Sequence, residues 1–504
     1  MRVAVTGNRV NVEMRVDDGE WRPIDMPNSV QGQHWLDEPG SGHAQMILVG
    51  AGLGYALERA QELGFQKIVA VEPDPGLATL LLSRRDWQPL FANGSLRLLT
   101  GPDYRGAADV ARFLDGLSDI PIVSHPLRTE VEPDAHARAR AVAERVAENA
   151  RNNGRARRRF AGPYLLQTLA NLPAIAREGR VEALANAFNA VPAVVVGAGP
   201  SLDDNMGALR LLQDRAVIVA TDTTLGPLLS GGVRPHLVVG VDSSALNARH
   251  LTTPGDSHDV MLAAEGSLHP SAFERFGGRI FSFRIADHDP WPWFRAAGVD
   301  RRELRTWGSV LTSTFDLACV MGCDPIVFAG ADLAFTGMRP YCRGTIYDAQ
   351  WQEWIDKGCS WELLMEDYFS RQPEVYRDDI HGAPARTAPN LVSFRDWLVE
   401  RIASLTPTTV INATGGGILH GGRIQQASLE EALGGAPSQP GIRTTLREQH
   451  AASRAGRKDL APFNALLEKI RSGRKSPPIK RWTDFTAGTV TESDILAALP
   501  ASLW

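Results

Sequence analysis

The run VVVGAGPSLD, Val194–Asp203, constrains the fold of this chain more than any other stretch. Three β-branched residues end in a Gly-x-Gly-Pro-Ser turn, and Asp203 opens a stretch of helical composition. A strand that passes through such a turn into a helix is half of a parallel α/β unit. Its turn presents unpaired backbone N–H groups to an anion. Gly197 and Gly199 let the backbone approach a phosphate, Pro200 suits a first helical turn that needs no N–H, and Ser201 offers a hydroxyl. A second turn of this kind stands at Ile47–Leu57, ILVGAGLGYAL, so the chain reads as two such units in tandem.

At 504 residues the chain is too long for one hydrophobic core. Buried-strand runs at Met46–Val49, Lys67–Val71, Leu96–Leu99 and Ile120–Val123 alternate with helical segments near Tyr55–Leu63, Gly76–Leu81 and Ala107–Leu117. A second series runs Ala193–Val196, Ala216–Ala220, Leu237–Val241, Val260–Ala264, Arg279–Phe283, Pro325–Ala329 and Thr409–Asn412. Strands alternating with helices predict parallel sheets. The expected class is α/β: two tandem Rossmann-like doubly wound sheets joined by a helical connector, with a small helical C-terminal extension. The boundaries fall at 1–130, 131–190, 191–425 and 426–504. The connector carries RNNGRARRRF, Arg151–Phe160, which reads as a solvated face or as a patch for an anionic partner. Between Asp332 and Asn390 the length and the Trp, Tyr and acidic content predict a lid or substrate loop. The tail beyond Leu433, helical near Ala461–Ile470, reads as a small helical appendage or a partly disordered extension.

A net charge of −5 gives no global nucleic-acid footprint. No run of about 18 apolar residues predicts a membrane span, and the first residues lack a signal-peptide core. The four cysteines form no Cys-x-x-Cys pair and no zinc pattern. A reduced, cytoplasmic setting is the expectation, and the oligomeric state is not legible.

In the first unit Glu72 closes the strand after the glycine turn, where an acid holds ribose hydroxyls in nucleotide-binding folds. This pattern resembles class I methyltransferases, which implies S-adenosylmethionine. A degenerate fold that only scaffolds fits the same residues. Ser124-His125-Pro126 sits after the fourth strand but is unspecific.

In the second unit, six features fall at predicted strand C-termini or helix starts, where open α/β sheets bind ligands. They are the GAGPSLD turn, Asp222, Asp242, the WGSV segment Trp307–Val310, FAGADLAFTG with Asp332, and INATGGGILHGG, Ile411–Gly422. Carboxylates so placed hold a divalent cation on a diphosphate, contact ribose, or act as a general base.

Over roughly Pro192–Gly422, these motifs in this order resemble the family of bacterial motility accessory factors, the Maf flagellin glycosyltransferases, which shares its core with archaeal 6-hydroxymethylpterin diphosphokinases. The carriers are GAGPSLD, ATDTTLGPLLSGGVRPHLVVGVD, GSVLTSTFDLACVMGCDPIVFAGADLAFTG and NATGGG. The methyltransferase-like first unit also resembles the motility factors, so the arrangement favours the glycosyltransferase branch. That resemblance implies transfer of a nonulosonic acid, of pseudaminic or legionaminic type, from a CMP-activated donor to Ser/Thr of flagellin or a similar protein. By the related sialyltransferases, Gly197, Gly199, Pro200 and Ser201 would approach the cytidine nucleotide, and Asp222 and Asp242 its edge. Gly308, Ser309 and Thr312 would face its anionic groups, and Asn412, Thr414 and Gly415 would close the far side. Asp332 is the first candidate base and His381 the second. Trp291, Trp293, Tyr341, Trp351 and Trp354 either stack on substrate or pack. The chain departs from the family pattern in reading NATGGG for NATEGG and GADLA for GQDLA.

Two other readings stay open. In a diphosphokinase, Asp222 and Asp242 would hold Mg²⁺ beside ATP. A non-catalytic flagellar assembly factor would need neither nucleotide nor metal.

Overall fold

The computed structural model describes residues 2–6, 9–15, 21–25, 36, 43–101, 104, 106–252, 255–285, 289–296, 298–455, 460–461, 464, 467–468, 477–486 and 489–500. The chain divides into two compact units, Met1–Arg159 and Phe160–Trp504.

Unit 1 opens with an antiparallel three-stranded sheet, β1 (Arg2–Thr6), β2 (Arg9–Arg15) and β3 (Trp21–Asp25). A four-stranded sheet follows, built from β4 (Gln45–Val49), β5 (Lys67–Glu72), β6 (Leu96–Thr100) and β7 (Ile122–Ser124). Its order is β6-β5-β4-β7 and every pair is parallel. All five residues of β4 are buried, as expected of a near-continuous apolar run with helices on both faces. The helix expected over Ala107–Leu117 stops at Ala111.

The connector predicted over 131–190 is a 38-residue helix, Pro133–Ala170, followed by Leu172–Arg177. The division between the units falls inside the long helix, so it is not a separate domain. Its last residues join unit 2: Leu165 and Leu169 are fully buried there. A two-residue strand missed in the sequence, β8 (Gly179–Arg180), pairs beside the strand Ile280–Phe283.

The sheet of unit 2 has nine parallel strands in the order β18-β17-β14-β9-β10-β11-β12-β13-β8. The central ones are β9 (Ala193–Val196), β10 (Val217–Thr221), β11 (Leu237–Gly240), β12 (Met261–Glu265), β13 (Ile280–Phe283) and β14 (Ile326–Ala329). β17 (Val410–Asn412) and β18 (Ile424–Gln426) complete one edge. Chain order proceeds one way from β9 through β13. It then returns through the buried helix Val310–Val320 to lay β14 on the other side of β9. The reversal leaves a topological switch point between the C-terminal ends of β9 and β14, where open α/β sheets take their ligands.

Residues 332–390 are not a loop. They form two helices, Ile346–Asp356 and Trp361–Ser370, and a hairpin of β15 (Val375–Asp378) and β16 (Pro384–Thr387). Phe335, Met365, Phe369 and Ala388 form a small core against which Trp351, Trp361 and Tyr368 pack. Burial of one such side chain contributes about 1.5–3 kcal/mol, enough together to hold a small cap.

The C-terminal segment is likewise packed rather than appended. Trp482, in the helix Pro477–Phe485, is fully buried with its ring 5.3 Å from Trp293, edge to face. Leu460, Leu467, Ile495 and Leu499 fill the same core as Leu165 and Leu169. Most of the helix predicted near Ala461–Ile470 and of the basic run after it lies outside the described residues.

Candidate functional site

Three turns meet at the switch point. The first is the GAGPS turn between β9 and the helix Leu202–Leu212, the second the GADLA turn after β14, and the third the NATGGG turn after β17. Their glycines are needed for contact with each other. A Cβ on Gly197 would lie 2.6 Å from the Gly330 carbonyl oxygen, and one on Gly199 2.1 Å from Asp332 Oδ2. A Cβ on Gly417 would lie 2.1 Å from the Asp332 carbonyl oxygen. The sequence suggested that Gly197 and Gly199 clear space for a phosphate, whereas the structure spends that space on neighbouring backbone and Asp332.

Asp332 is the pin of this cluster. It is fully buried, and its Oδ1 accepts hydrogen bonds from Ser201 Oγ (2.6 Å) and Thr336 Oγ1 (2.6 Å), with the Ser201 N–H at 3.3 Å. Burial raises its pKa, and these hydrogen bonds work against that rise. Through these bonds the Asp332 carboxylate ties the GADLA turn to the GAGPS turn. Asn205 ties the same three turns: its Oδ1 accepts from the Gly330 N–H (3.2 Å) and its Nδ2 donates to the Ala413 carbonyl (3.3 Å). Neither Asn205 nor Thr336 was singled out in the sequence. Asn205 stands four residues after Ser201 on a helix, the spacing that returns a side chain to the same face.

Further predicted residues prove structural. Thr312 is buried, donating to the Ser309 carbonyl (2.6 Å) and accepting from the Trp307 N–H (2.9 Å). Asn412 donates to the Leu419 carbonyl and accepts from the Thr414 N–H, and Thr414 Oγ1 accepts from the Ala331 N–H. These bonds hold the turns in shape. Ser309 caps the helix Val310–Val320, and Gly308 takes a φ of +66° with a Cβ position 3.0 Å from the Phe394 ring. Pro200 precedes the N-cap Ser201 and so lies outside the first helical turn where it was expected. Gly415 is exposed, and His381, on the β15–β16 turn, brings its Nε2 3.4 Å from the Gly415 carbonyl. Both line a cavity of about 370 Å³ with Asp204, Asn205, Gln426 and Glu430. Asp332 and His381 therefore do different things.

Along the same sheet edge runs a row of acids. Asp222 follows β10, Asp242 follows β11, and Glu265 ends β12. Burial pushes Asp222 up to about 7, with the Asp242 charge adding to it, and burial pushes Glu265 up to about 7. Glu265 was missed, although AAEGS repeats the strand-end acid of GVDSS. The 341–347 segment joins the row to the glycine turns. The Cys342 N–H donates to the Ala198 carbonyl (3.0 Å), and the Tyr341 ring stacks on Tyr347 at 4.9 Å. Tyr347 donates to Asn247 Oδ1 (3.0 Å), and its ring meets His250 edge on at 5.2 Å. Thr221 Oγ1 and His250 Nε2 are buried without a hydrogen-bond partner. Of the other aromatics, Trp291 is buried in the core, Trp351 packs half-buried against the cap, and Trp354 is exposed. Among the described residues no three His, Cys, Asp or Glu side chains converge to hold a metal.

The raised acids set a pH dependence. Between about pH 4 and 7 the folded protein keeps a proton on Asp222 that the unfolded chain has released. Stability from this group therefore falls as pH rises through that window. Asp222→Asn, which still accepts from the Thr223 N–H, is expected to raise the urea midpoint at pH 8 more than at pH 5. An equal change at both pH values would show that the carboxyl is not held neutral.

In unit 1 the acid expected to hold ribose is already engaged. Glu72 accepts from the Gly52 N–H (2.8 Å), the Asp74 N–H (3.0 Å) and Arg128 Nη2 (2.9 Å), and both Glu72 and Arg128 are fully buried. The residues present do not fit the ribose of S-adenosylmethionine, and the methyltransferase reading is dropped.

The fold and this edge define a doubly wound α/β protein whose switch point lies at these turns. A sequence model of the family "6-hydroxymethylpterin diphosphokinase MptE-like" matches residues 166–338, which hold the GAGPS turn, the acid row and Asp332. The structure of the Maf glycosyltransferase from Magnetospirillum magneticum AMB-1 superposes with a TM-score of 0.52, covering 97% of this chain and 85% of that one at 15% identity. The chain thus carries an MptE-like domain within the fold of a Maf glycosyltransferase, as its motifs suggested. An uncharacterized protein of Treponema pallidum (strain Nichols) is 27% identical over 176 residues, which are 33% of this chain and 57% of that protein. Among the described residues no helix is long and apolar enough to cross a membrane.

Proposed function

We propose that unit 2 is a glycosyltransferase that moves a nonulosonic acid from a CMP-activated donor to Ser/Thr hydroxyls of flagellin or a similar protein. The observation that carries this reading is the switch point itself, where a braced glycine turn stands beside a row of strand-end carboxylates, Asp222, Asp242 and Glu265. Carboxyl groups such as Asp242 and Asp222 suit the hydroxyls of a sugar or ribose, and Thr221 and His250 have hydrogen-bonding capacity to spare. Helix starts at Ser201 and Ser309 suit the charge that builds on CMP as it leaves. With Asp332 enclosed, His381 is the base in this reading, being exposed at the cavity wall.

The second reading, Mg²⁺-dependent diphosphoryl transfer from ATP, is favoured by the name of the matching family. In that reading Asp222 and Asp242, at neighbouring strand ends, would hold Mg²⁺ beside the ATP phosphates.

Thermal shift separates the two. CMP is expected to raise the melting temperature without Mg²⁺, because a ligand that binds only the folded state stabilises it. Asp242→Ala is expected to abolish that shift. A shift with ATP that requires Mg²⁺, and none with CMP, would replace the transferase by the kinase.

A further inference from the structure

We propose that the C-terminal edge of the four-stranded sheet in unit 1 is a receptor for a compact oxyanion, a phosphate or a carboxylate, held by Arg128 and His136. The inference stands on the orphaned polar atoms gathered there. Arg128 Nε and Nη1, both ring nitrogens of His136, and Thr100 Oγ1 are buried and lack hydrogen-bond partners. Arg128 is fully buried and His136 is 2% exposed. Such atoms are rare in folded proteins, and leaving one unpaired costs about 1–3 kcal/mol.

They belong to one end of the sheet. Glu72 at the end of β5 pairs in register with Thr100 at the end of β6. The Glu72 carboxylate joins Arg128 to the glycine turn through the Gly52 N–H. A Cβ on Gly50, in that same turn, would lie 3.1 Å from His136 Cε1 and 3.6 Å from Arg128 Cβ. The position is the ligand edge of a Rossmann-like sheet, while the acid that would take ribose is spent on Arg128.

The chemistry of the open atoms selects the ligand. A guanidinium offers only donors, a neutral imidazole offers one, and a hydroxyl offers another. Such a set matches the several acceptor oxygens of one small anion. A metal ion beside a guanidinium would be repelled. Arg128 Nη2 faces both Glu72 Oε1 and Glu132 Oε2, each at 2.9 Å, while the N–H groups of Nε and Nη1, on opposite sides of the guanidinium, stay unclaimed. Arg138 and Arg140 add positive charge near Tyr104 and His136.

The test is histidine-selective NMR on the full chain, with the His136 ring signal identified by His136→Gln. Inorganic phosphate and acetate are titrated in separate arms against sodium chloride at matched ionic strength. A saturable shift of the His136 signal is expected in at least one arm, and the arm that responds names the oxyanion. Arg128→Lys, which keeps the charge facing Glu72 but loses the fork, is expected to weaken binding at least tenfold. No saturable shift in either arm, or unchanged affinity in Arg128→Lys, would overturn the proposal. Should that variant not fold, the wild-type titration and loss of phosphate stabilisation in His136→Gln still decide it.

Discussion

Alanine at Gly417 is expected to destabilise unit 2 by more than about 4 kcal/mol, a loss of the size reserved for severe steric or buried-network damage. Alanine at Gly415, two residues earlier, is expected to cost only about 1–2 kcal/mol. Both glycines hold a left-handed backbone, with φ of +77° and +82°. Around a Cβ at Gly415 nothing lies within 4 Å, whereas at Gly417 the Asp332 backbone lies 2.1–2.6 Å away. The difference between the two variants therefore isolates the interlock of the turns from the conformational preference of glycine. Urea denaturation of both proteins measures it. Equal costs would mean that the turns are not locked together, and the positioning role given to Asp332 would fall with them.

Arg128→Met is the second large effect, expected to cost about 3–5 kcal/mol because it leaves the Glu72 charge buried without its partner. Burial already raises the Glu72 pKa, and the Arg128 charge is the largest influence opposing that rise. The double variant Glu72→Gln, Arg128→Met keeps an acceptor for the backbone and removes both charges. It is expected to be more stable than Arg128→Met alone. A double-mutant cycle with chemical denaturation reads this coupling. Additive losses would show that the pair is not a desolvated unit.

Much of the fold was legible because parallel strands buried on both faces read as short β-branched runs. Val194–Val196, Leu237–Val239 and Ile326–Ala329 are such runs, and each is a strand. β8 was not legible: two residues, Gly179 and Arg180, have no pattern, and only pairing with Phe281 and Ser282 makes them a strand. The C-terminal segment misled for a similar reason. Its sparse apolar residues, Trp482 and Ile495 among them, look insufficient for a core until the core of unit 2 is there to receive them.

The sequence by itself determined that the chain is a tandem α/β protein and which strand ends carry glycine turns and acids, because both follow from local periodicity and turn chemistry. It also carried the family resemblance. The tertiary structure alone decided what those residues face. Asp332, Thr312, Asn412 and Thr414 turned inward to hold turns, Glu72 turned to Arg128, and Glu265, Tyr347 and His250 joined the site from elsewhere in the chain. The reason is physical. A strand or a turn is specified by neighbours in sequence, but whether a carboxylate meets an arginine or a hydroxyl depends on residues that the fold brings together from far along the chain, 56 positions for Glu72 and Arg128 and 131 for Asp332 and Ser201.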